Sequence, residues 1–148
     1  MPSSDDVPVR EIMETCVAKH TRMAARAITR VYDRTLEPSG LKVTQFTILV
    51  ALAQNSFGSI TDMGDELALE RSTLSRNLTR LEEKGLVRLQ EDGRSRTIEL
   101  TEAGCAKLED AYPLWRTAQE AVEEAVGADN WAETRRRLRA IARANTAT

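Results

Sequence analysis

The segment from Glu70 to Leu86 reads ERSTLSRNLTRLEEKGL and has the pattern of a short amphipathic helix. Leu74, Leu78 and Leu81 recur at helical spacing, which places all three on one face of an α-helix. We expect the hydroxyl of Ser72 to cap the first turn and Gly85 to end the helix in the left-handed conformation. The opposite face carries polar side chains without a bulky apolar one: Ser72, Thr73, Ser75, Arg76, Asn77, Thr79 and Arg80. Guanidiniums, hydroxyls and amides of this kind contact phosphates and base edges in nucleic-acid complexes.

A shorter helix is predicted just upstream, from Ile60 to Leu69, with Thr61 or Asp62 as its cap. Residues 68–71 form a brief turn before the leucine-bearing helix. Two short helices joined by a tight turn are typical of a helix-turn-helix motif.

A β-hairpin is predicted just downstream. Residues 87–90 and 97–100 alternate apolar and polar side chains, and an Asp92-Gly93 pair lies between them with Arg94 at the tip. A helix-turn-helix followed by such a hairpin is a winged helix, so the sequence predicts a winged helix with a cationic wing tip.

The run ITDMGDELALERSTLSRNLTRLEEKGLVRLQEDGRSRTIELTEAG, residues 60–104, resembles the DNA-binding core of the MarR family of bacterial transcription regulators. The most specific pieces are Asp92-x-Arg94 in the wing and Leu100-Thr101-x-x-Gly104 after it. The resemblance extends from Arg10 to Asn145, although the outer helices match by pattern rather than by motif. It implies a homodimer, and an effector site between the dimerising helices and the DNA-binding lobe. It also implies that Asp92 braces the wing through an ion pair with Arg94 or a neighbouring arginine.

Composition favours a mostly helical class. Only 4% of the 148 residues are aromatic and Gly and Pro are few, so the core should consist of small aliphatic side chains between helices. The net charge of −2 argues against a protein that coats nucleic acid through overall positive charge. Between Arg71 and Glu99, however, seven basic residues outnumber five acidic ones, which is compatible with a local reader of DNA.

The cysteine, histidine and hydropathy patterns exclude several classes. Two cysteines without a CxxC pair and a single histidine, His20, exclude a zinc finger and a disulfide framework, so neither a metal nor a cofactor is expected. The sequence carries no hydrolase or transferase motif, so we do not expect an enzyme. Without a secretory leader or a long apolar run, a soluble cytoplasmic protein is expected.

The 148 residues are expected to form a single domain with two parts. Residues 41–100 make the winged helix-turn-helix lobe, which includes a helix over 45–53 capped by Thr44. Residues 9–36 and 102–146 make a helical dimerisation region, which begins with one long helix ending before Pro38. A second long helix follows the wing from Glu102 to Val126, with Thr101 as its cap, a kink at Pro113 and Gly127 as its end. Asp129 or Asn130 should cap the last helix.

The terminal helices are the predicted dimer interface. They carry more apolar surface than the lobe can cover, and soluble monomers avoid large exposed apolar patches. A twofold dimer would present two recognition helices about 34 Å apart and therefore predicts a palindromic operator on double-stranded DNA.

The predicted DNA contacts come from the recognition helix and the wing. In the major groove we expect Ser72, Thr73, Ser75, Arg76, Asn77 and Arg80, and in the minor groove Arg94. The alternative is an ordinary solvated helix face with intrahelical ion pairs such as Arg80 with Glu83. A winged helix used only to bind another protein is a further alternative.

A small effector and a reactive thiol are separate hypotheses. Arg26, Arg30, Phe46 and Trp115 are candidates for a pocket that takes an aromatic or phenolic acid, although the arginines also fit a plain solvated face. Cys16 is a candidate redox thiol in the first helix. Its position beside Ile12 on the apolar face favours instead a buried structural thiol. A packing role is also favoured for Cys105.

Overall fold

The computed structural model describes residues 7–55, 57 and 59–144, which form seven α-helices and one β-hairpin. Positions 56 and 58 of the predicted lobe and positions 145 and 146 of the predicted dimerisation region lie outside the described residues. The elements are α1 Val9–Thr15, α2 Val17–Leu36, α3 Val43–Gln54, α4 Ile60–Glu66, α5 Arg71–Glu83, β1 Val87–Asp92, β2 Ser95–Leu100, α6 Glu102–Val126 and α7 Trp131–Arg143, with short 3-10 turns at Glu37–Ser39 and Ala128–Asn130. The predicted fold class, mostly helical with a winged helix-turn-helix core, is confirmed.

The leucine face of α5 forms the centre of the core. Leu74, Leu78 and Leu81 are all buried, and Leu81 has no exposed surface. They pack beneath α3, whose Ile48 and Leu49 are also fully buried. Burial of one such side chain stabilises the fold by about 1.5 to 3 kcal/mol, so this cluster fixes the orientation of α5. The polar face of α5 is thereby turned to solvent.

The long helix predicted over 9–36 is two helices. Cys16 is extended, with φ −60° and ψ 112°, and separates α1 from α2. The break leaves carbonyl groups near the end of α1 without intrahelical donors. One of them, the Met13 carbonyl, accepts a hydrogen bond from Lys19 Nζ at 2.6 Å.

Several helix starts differ from the prediction. Helix α3 begins at Val43 rather than after a Thr44 cap, and Asp33 Oδ1 accepts its first N–H at 2.8 Å. Ser59, not Thr61 or Asp62, caps α4, because its Oγ accepts the Asp62 N–H at 3.1 Å.

The starts of α5 and α7 also lack the predicted caps. Helix α5 begins after Glu70 without a side-chain cap, so the cap predicted for Ser72 is wrong. At α7 the preceding 3-10 turn leads directly into Trp131, and neither Asp129 nor Asn130 makes a capping hydrogen bond.

The ends around α6 follow the prediction. Thr101 Oγ1 accepts the Gly104 N–H at 3.1 Å and caps α6, which runs through Pro113 to Val126 and ends at Gly127. Gly85 has φ +73°, the left-handed conformation predicted after α5. Helix α2 packs along α6, and α3 bridges α6 and the winged-helix lobe. None of the described helices has the length and apolar character needed to cross a membrane.

Candidate nucleic-acid interface

Two guanidiniums stand on the exposed face of α5. Arg76 and Arg80 lie one turn apart, both are exposed, and neither forms an ion pair with any residue that the structure describes. The closest polar partner of Arg76 is Thr73 Oγ1, at 3.5 Å from Nη2. The alternative of an Arg80–Glu83 ion pair is therefore not observed. Both cations remain available to an external anion.

The small polar residues of α5 differ in their exposure and in their hydrogen bonds within the helix. Ser72 and Ser75 are exposed, whereas Thr73 is half-buried. Asn77 is also half-buried, and its Nδ2 donates to the Thr73 carbonyl at 2.8 Å. That bond occupies part of the amide, so Asn77 offers fewer free donors than the sequence suggested. Thr79 is exposed, but its Oγ1 donates to the Ser75 carbonyl at 3.1 Å.

The wing is a tight antiparallel hairpin. Asp92 pairs with Ser95, which leaves only Gly93 and Arg94 in the loop, so both strands are two residues longer than predicted. Gly93 has φ +63° at the first loop position, where a type II′ turn places glycine. Arg94 is exposed at the tip and has no ion-pair partner in the described part of the chain.

The ion pair that braces the wing differs from the predicted one. Arg96 Nε and Nη2 both donate to Glu91 Oε1 at 3.1 Å across the two strands, where Glu91 and Arg96 are register partners. The backbone carbonyl of Asp92 accepts a hydrogen bond from the Ser95 hydroxyl at 3.0 Å. The Asp92 carboxylate forms no ion pair among the described residues. The bracing role predicted for Asp92 is therefore wrong, because its register places it opposite Ser95 instead of an arginine.

A carboxylate on α5 also holds the wing. Glu82 Oε2 accepts the backbone N–H of Leu89 in β1 at 2.8 Å. No local pattern in the sequence shows which backbone donor this carboxylate will meet.

The base of the wing is locked to α6. Thr101 Oγ1 donates to the Gly85 carbonyl at 2.7 Å, and the Thr101 N–H donates to the Leu86 carbonyl at 3.1 Å. Gly104 packs so closely that a Cβ there would lie 2.2 Å from the Leu86 carbonyl oxygen. The Leu100-Thr101-x-x-Gly104 motif was the sequence signal for this junction.

An open cleft of about 830 Å³ lies between α4, α5 and the wing. Its lining combines apolar residues such as Leu69, Leu78 and Leu89 with the charged Glu82 and Arg96. The cleft separates the recognition helix from the hairpin, so the bonds just described set the distance across it.

The four candidate effector residues do not share one cavity. Arg26 and Arg30 line a shallow depression of about 300 Å³ with Ala25 and Thr29. Phe46 and Trp115 do not line that depression. They stack on each other with ring centroids 6.2 Å apart, and Phe46 is buried in the core. The prediction of a common pocket is corrected to an arginine pair on α2 and an aromatic pair between α3 and α6.

Tyr32 ties α2 to α6. Its hydroxyl donates to Gln119 Oε1, and Gln119 Nε2 donates to Glu123 Oε1 at 2.7 Å. Burial, and secondarily the negative charge of Glu123, raise the pKa of Tyr32 above its ordinary value.

The two thiols lie in different settings. Cys16 is half-buried at the break between α1 and α2, and Cys105 is exposed in the first turn of α6. Cys16 is thus less buried than the structural thiol that its position on an apolar face suggested.

These elements define a class: a helix-turn-helix whose second helix presents cations, followed by a two-stranded wing, is the winged-helix architecture of DNA-binding proteins. The model of the MarR family matches residues 39–96. The structure of the transcriptional regulator MosR of M. tuberculosis is 38% identical over 90% of this chain and 97% of that one, with a TM-score of 0.81. Its complex with DNA superposes with a TM-score of 0.80, again at 38% identity, over 90% of this chain and 98% of that one. The chain therefore belongs to the MarR family of DNA-binding transcription regulators.

Two further relatives are more distant. The organic hydroperoxide resistance transcriptional regulator of Bacillus subtilis is 33% identical over 94 residues, which are 62% of this chain and 64% of that protein. Other Bacillus relatives are 33% identical over 73 residues, so the chain spans about half of the length of those proteins. The transcriptional repressor CouR, solved with a 23-mer DNA duplex, is 26% identical over 89% of this chain and 95% of that one, with a TM-score of 0.78.

Proposed function

We propose that this protein is a homodimeric repressor that binds a palindromic operator and leaves it when a small effector binds. The proposal depends on three exposed guanidiniums on α5 and at the wing tip, those of Arg76, Arg80 and Arg94, which form no ion pair within the described part of the chain. Two relatives support it, since MosR has been solved in complex with DNA and CouR is a transcriptional repressor solved on a DNA duplex.

In the proposed complex α5 lies in the major groove and the wing reaches the minor groove. The contacts on α5 are Ser72, Thr73, Ser75, Arg76, Asn77 and Arg80. Arg94 enters the minor groove, where a narrow A-tract attracts a guanidinium. A bidentate arginine contact to guanine is worth about 1 to 3 kcal/mol of discrimination.

The proposed dimer joins the helical region 9–36 and 102–146 of two copies and leaves the lobe 41–100 free to bind DNA. Apolar side chains on α1, α2 and α7 stand about half exposed in the isolated chain: Ile12, Met13, Val17, Met23, Leu138 and Ile141. Such surface is costly in water and is covered when two copies pair.

The first experiment selects duplexes from a random-sequence library with the purified protein and measures its mass by sedimentation. We expect a dimer and an inverted repeat among the recovered sequences. Arg76→Ala should weaken binding to the recovered duplex by about 1 to 3 kcal/mol. Arg116→Ala is the control for loss of an exposed arginine outside the lobe, because Arg116 lies on α6 and is paired with Glu120, and sedimentation checks that this variant has the same mass as the wild type. A monomer that binds no duplex at low salt would refute the proposal.

The effector is proposed to be an aromatic or phenolic acid whose carboxylate pairs with Arg26 and Arg30. A ligand releases DNA only through a difference in its affinity for the free and bound states. Benzoate should therefore weaken DNA binding more than benzyl alcohol, which has the same ring without the charge. The effect should vanish in Arg26→Ala/Arg30→Ala, and an unchanged benzoate response in that variant would refute this site.

Oxidant sensing through Cys16 is a second candidate, favoured by the half-buried thiol and by the Bacillus subtilis relative, which is an organic hydroperoxide resistance regulator. Cumene hydroperoxide should then weaken DNA binding in the wild type and in Cys105→Ser, but not in Cys16→Ser. An oxidant response that is the same in Cys16→Ser excludes this candidate.

A further inference from the structure

We propose that Glu82 is a positioning residue for the wing: its carboxylate, carried by the recognition helix, sets where Arg94 meets DNA. This inference rests on the proposed DNA binding through α5 and the wing. The bond from the Leu89 N–H to Glu82 Oε2, 2.8 Å long, joins the two elements directly.

The strand geometry explains why Leu89 offers this donor. The Thr101 N–H donates to the Leu86 carbonyl, so this pair is hydrogen-bonded, and in an antiparallel ladder such pairs alternate with non-bonded ones. Leu89, opposite Ile98, falls on a non-bonded pair, and its N–H points away from β2. Helix α5 lies on that side, and Glu82 supplies the acceptor.

The wing is then fixed at two points. Its base is held by Thr101 and by the close approach of Gly104 to the Leu86 carbonyl. At a strand rise of about 3.3 Å per residue, the tip lies roughly 23 Å beyond Leu86. A hairpin held only at its base would therefore move its tip by about 4 Å for a swing of roughly 10°. The bond to Glu82, placed partway along β1, restrains that swing.

Because Glu82 is negatively charged, a role through charge and a role in positioning predict opposite changes in DNA affinity when it is replaced. Glu82 is exposed and close to a surface that is proposed to face phosphates. If the residue acted only through its charge, its removal would relieve repulsion and tighten DNA binding. If it positions the wing, loss of the acceptor weakens binding although a negative charge has been removed.

The experiment measures dissociation constants for the duplex recovered from the random library, with four variants and one double variant. Glu82→Ala removes the acceptor and the charge, whereas Glu82→Gln removes the charge but keeps an oxygen that accepts the Leu89 N–H. Glu83→Ala is the matched control. Glu83 is the exposed neighbour on α5, and its carboxylate makes no hydrogen bond among the described residues. Arg94→Ala is measured alone and together with Glu82→Ala. Circular dichroism checks that each variant is folded.

We expect Glu82→Ala to weaken binding about threefold to tenfold, the range of one net hydrogen bond. Glu82→Gln and Glu83→Ala should bind as tightly as the wild type or more tightly. Arg94→Ala should weaken DNA binding when it is made in the wild type. In the Glu82→Ala background it should change the affinity by less than about twofold, because a displaced wing tip no longer brings Arg94 to the DNA.

Three results would overturn the inference while the proposed function stands: Glu82→Ala binding as tightly as Glu83→Ala, Glu82→Gln failing to restore affinity, or equal effects of Arg94→Ala in both backgrounds. Failure of the wild type to bind any duplex would instead refute the proposed function, so the two failures are distinct.

Discussion

Replacement of Gly104 by alanine should destabilise the protein through the contact that locks the wing to α6. The added Cβ would lie 2.2 Å from the Leu86 carbonyl oxygen and 2.6 Å from Leu100 Cδ1. A carbon and a carbonyl oxygen approach to about 3.3 Å in close contacts, so roughly 1 Å of movement is needed. The carbonyl belongs to the backbone and cannot rotate away, so α6 and the base of the hairpin must separate.

The magnitude follows from two opposing effects. Overpacking of a tight site costs about 1 to 3 kcal/mol, and a backbone clash belongs at or above the upper end of that range. Alanine gains up to about 1 kcal/mol over glycine within a helix. We therefore expect Gly104→Ala to lower the free energy of unfolding by about 2 kcal/mol.

Urea denaturation at a fixed protein concentration measures this change as a lower midpoint with an unchanged m-value. Gly64→Ala is the matched control, because Gly64 is also helical but a Cβ there meets the side-chain atom Leu74 Cδ2, at 3.2 Å, before any backbone atom. It should change stability by less than about 1 kcal/mol in either direction. A Gly104→Ala variant as stable as the wild type would refute the packing argument.

Three further predictions concern single contacts. Thr101→Val removes the hydroxyl that bonds Gly85 and caps α6, and should cost about 1 to 2 kcal/mol of stability, measured by urea denaturation; no loss would contradict the role of the cap. The raised pKa of Tyr32 keeps its phenol neutral in the native state, so the free energy of unfolding should fall as the pH rises above about 10, where unfolded tyrosine ionises. Alkaline unfolding curves check this, and Tyr32→Phe should lose that part of the slope. Hydrogen bonds from Arg136 and then Arg137 lower the pKa of Glu133 from 4.5 to about 2, so its stabilising effect should persist above pH 4.5 and disappear as the pH falls toward 2. Carboxyl NMR titration checks this value, and a midpoint near 4.5 would contradict it.

The winged-helix core could be predicted from sequence because its signals are local. The spacing of Leu74, Leu78 and Leu81 indicated the buried face of α5, and Gly85 indicated its end. Gly93 and the alternation around it predicted the hairpin, although the strands extend closer to the turn than the pattern showed. Each of these features depends on neighbours within a few residues.

The helix starts and the break at Cys16 could not be predicted in the same way. No Gly or Pro marks the break, and the side chain that compensates for a lost donor at the end of α1 is Lys19, later in the chain. The cap of α3 comes from Asp33, on another helix. Such partners are chosen by tertiary packing, which outweighs the local preference of a residue such as Thr44 for a cap.

In the candidate site too, local features could be predicted from sequence and contacts between elements could not. The motif indicated that Thr101 and Gly104 matter, but it did not show that they hold the base of the wing. Glu91 rather than Asp92 braces the hairpin, because the register decides which carboxylate faces Arg96. The bond between Glu82 and Leu89 joins two elements whose approach no sequence pattern specifies.

The salt dependence of binding to the selected duplex measures how many of the positive charges on α5 and the wing meet DNA. Six arginine charges, from Arg76, Arg80 and Arg94 of both copies, displace counterions from DNA whether they meet a base edge or a phosphate, so the logarithm of the binding constant should fall with the logarithm of salt concentration with a slope of about −5. Arg80→Ala should reduce the magnitude of that slope by about 2, one contact per copy. A slope near zero, or one that Arg80→Ala leaves unchanged, would contradict the account.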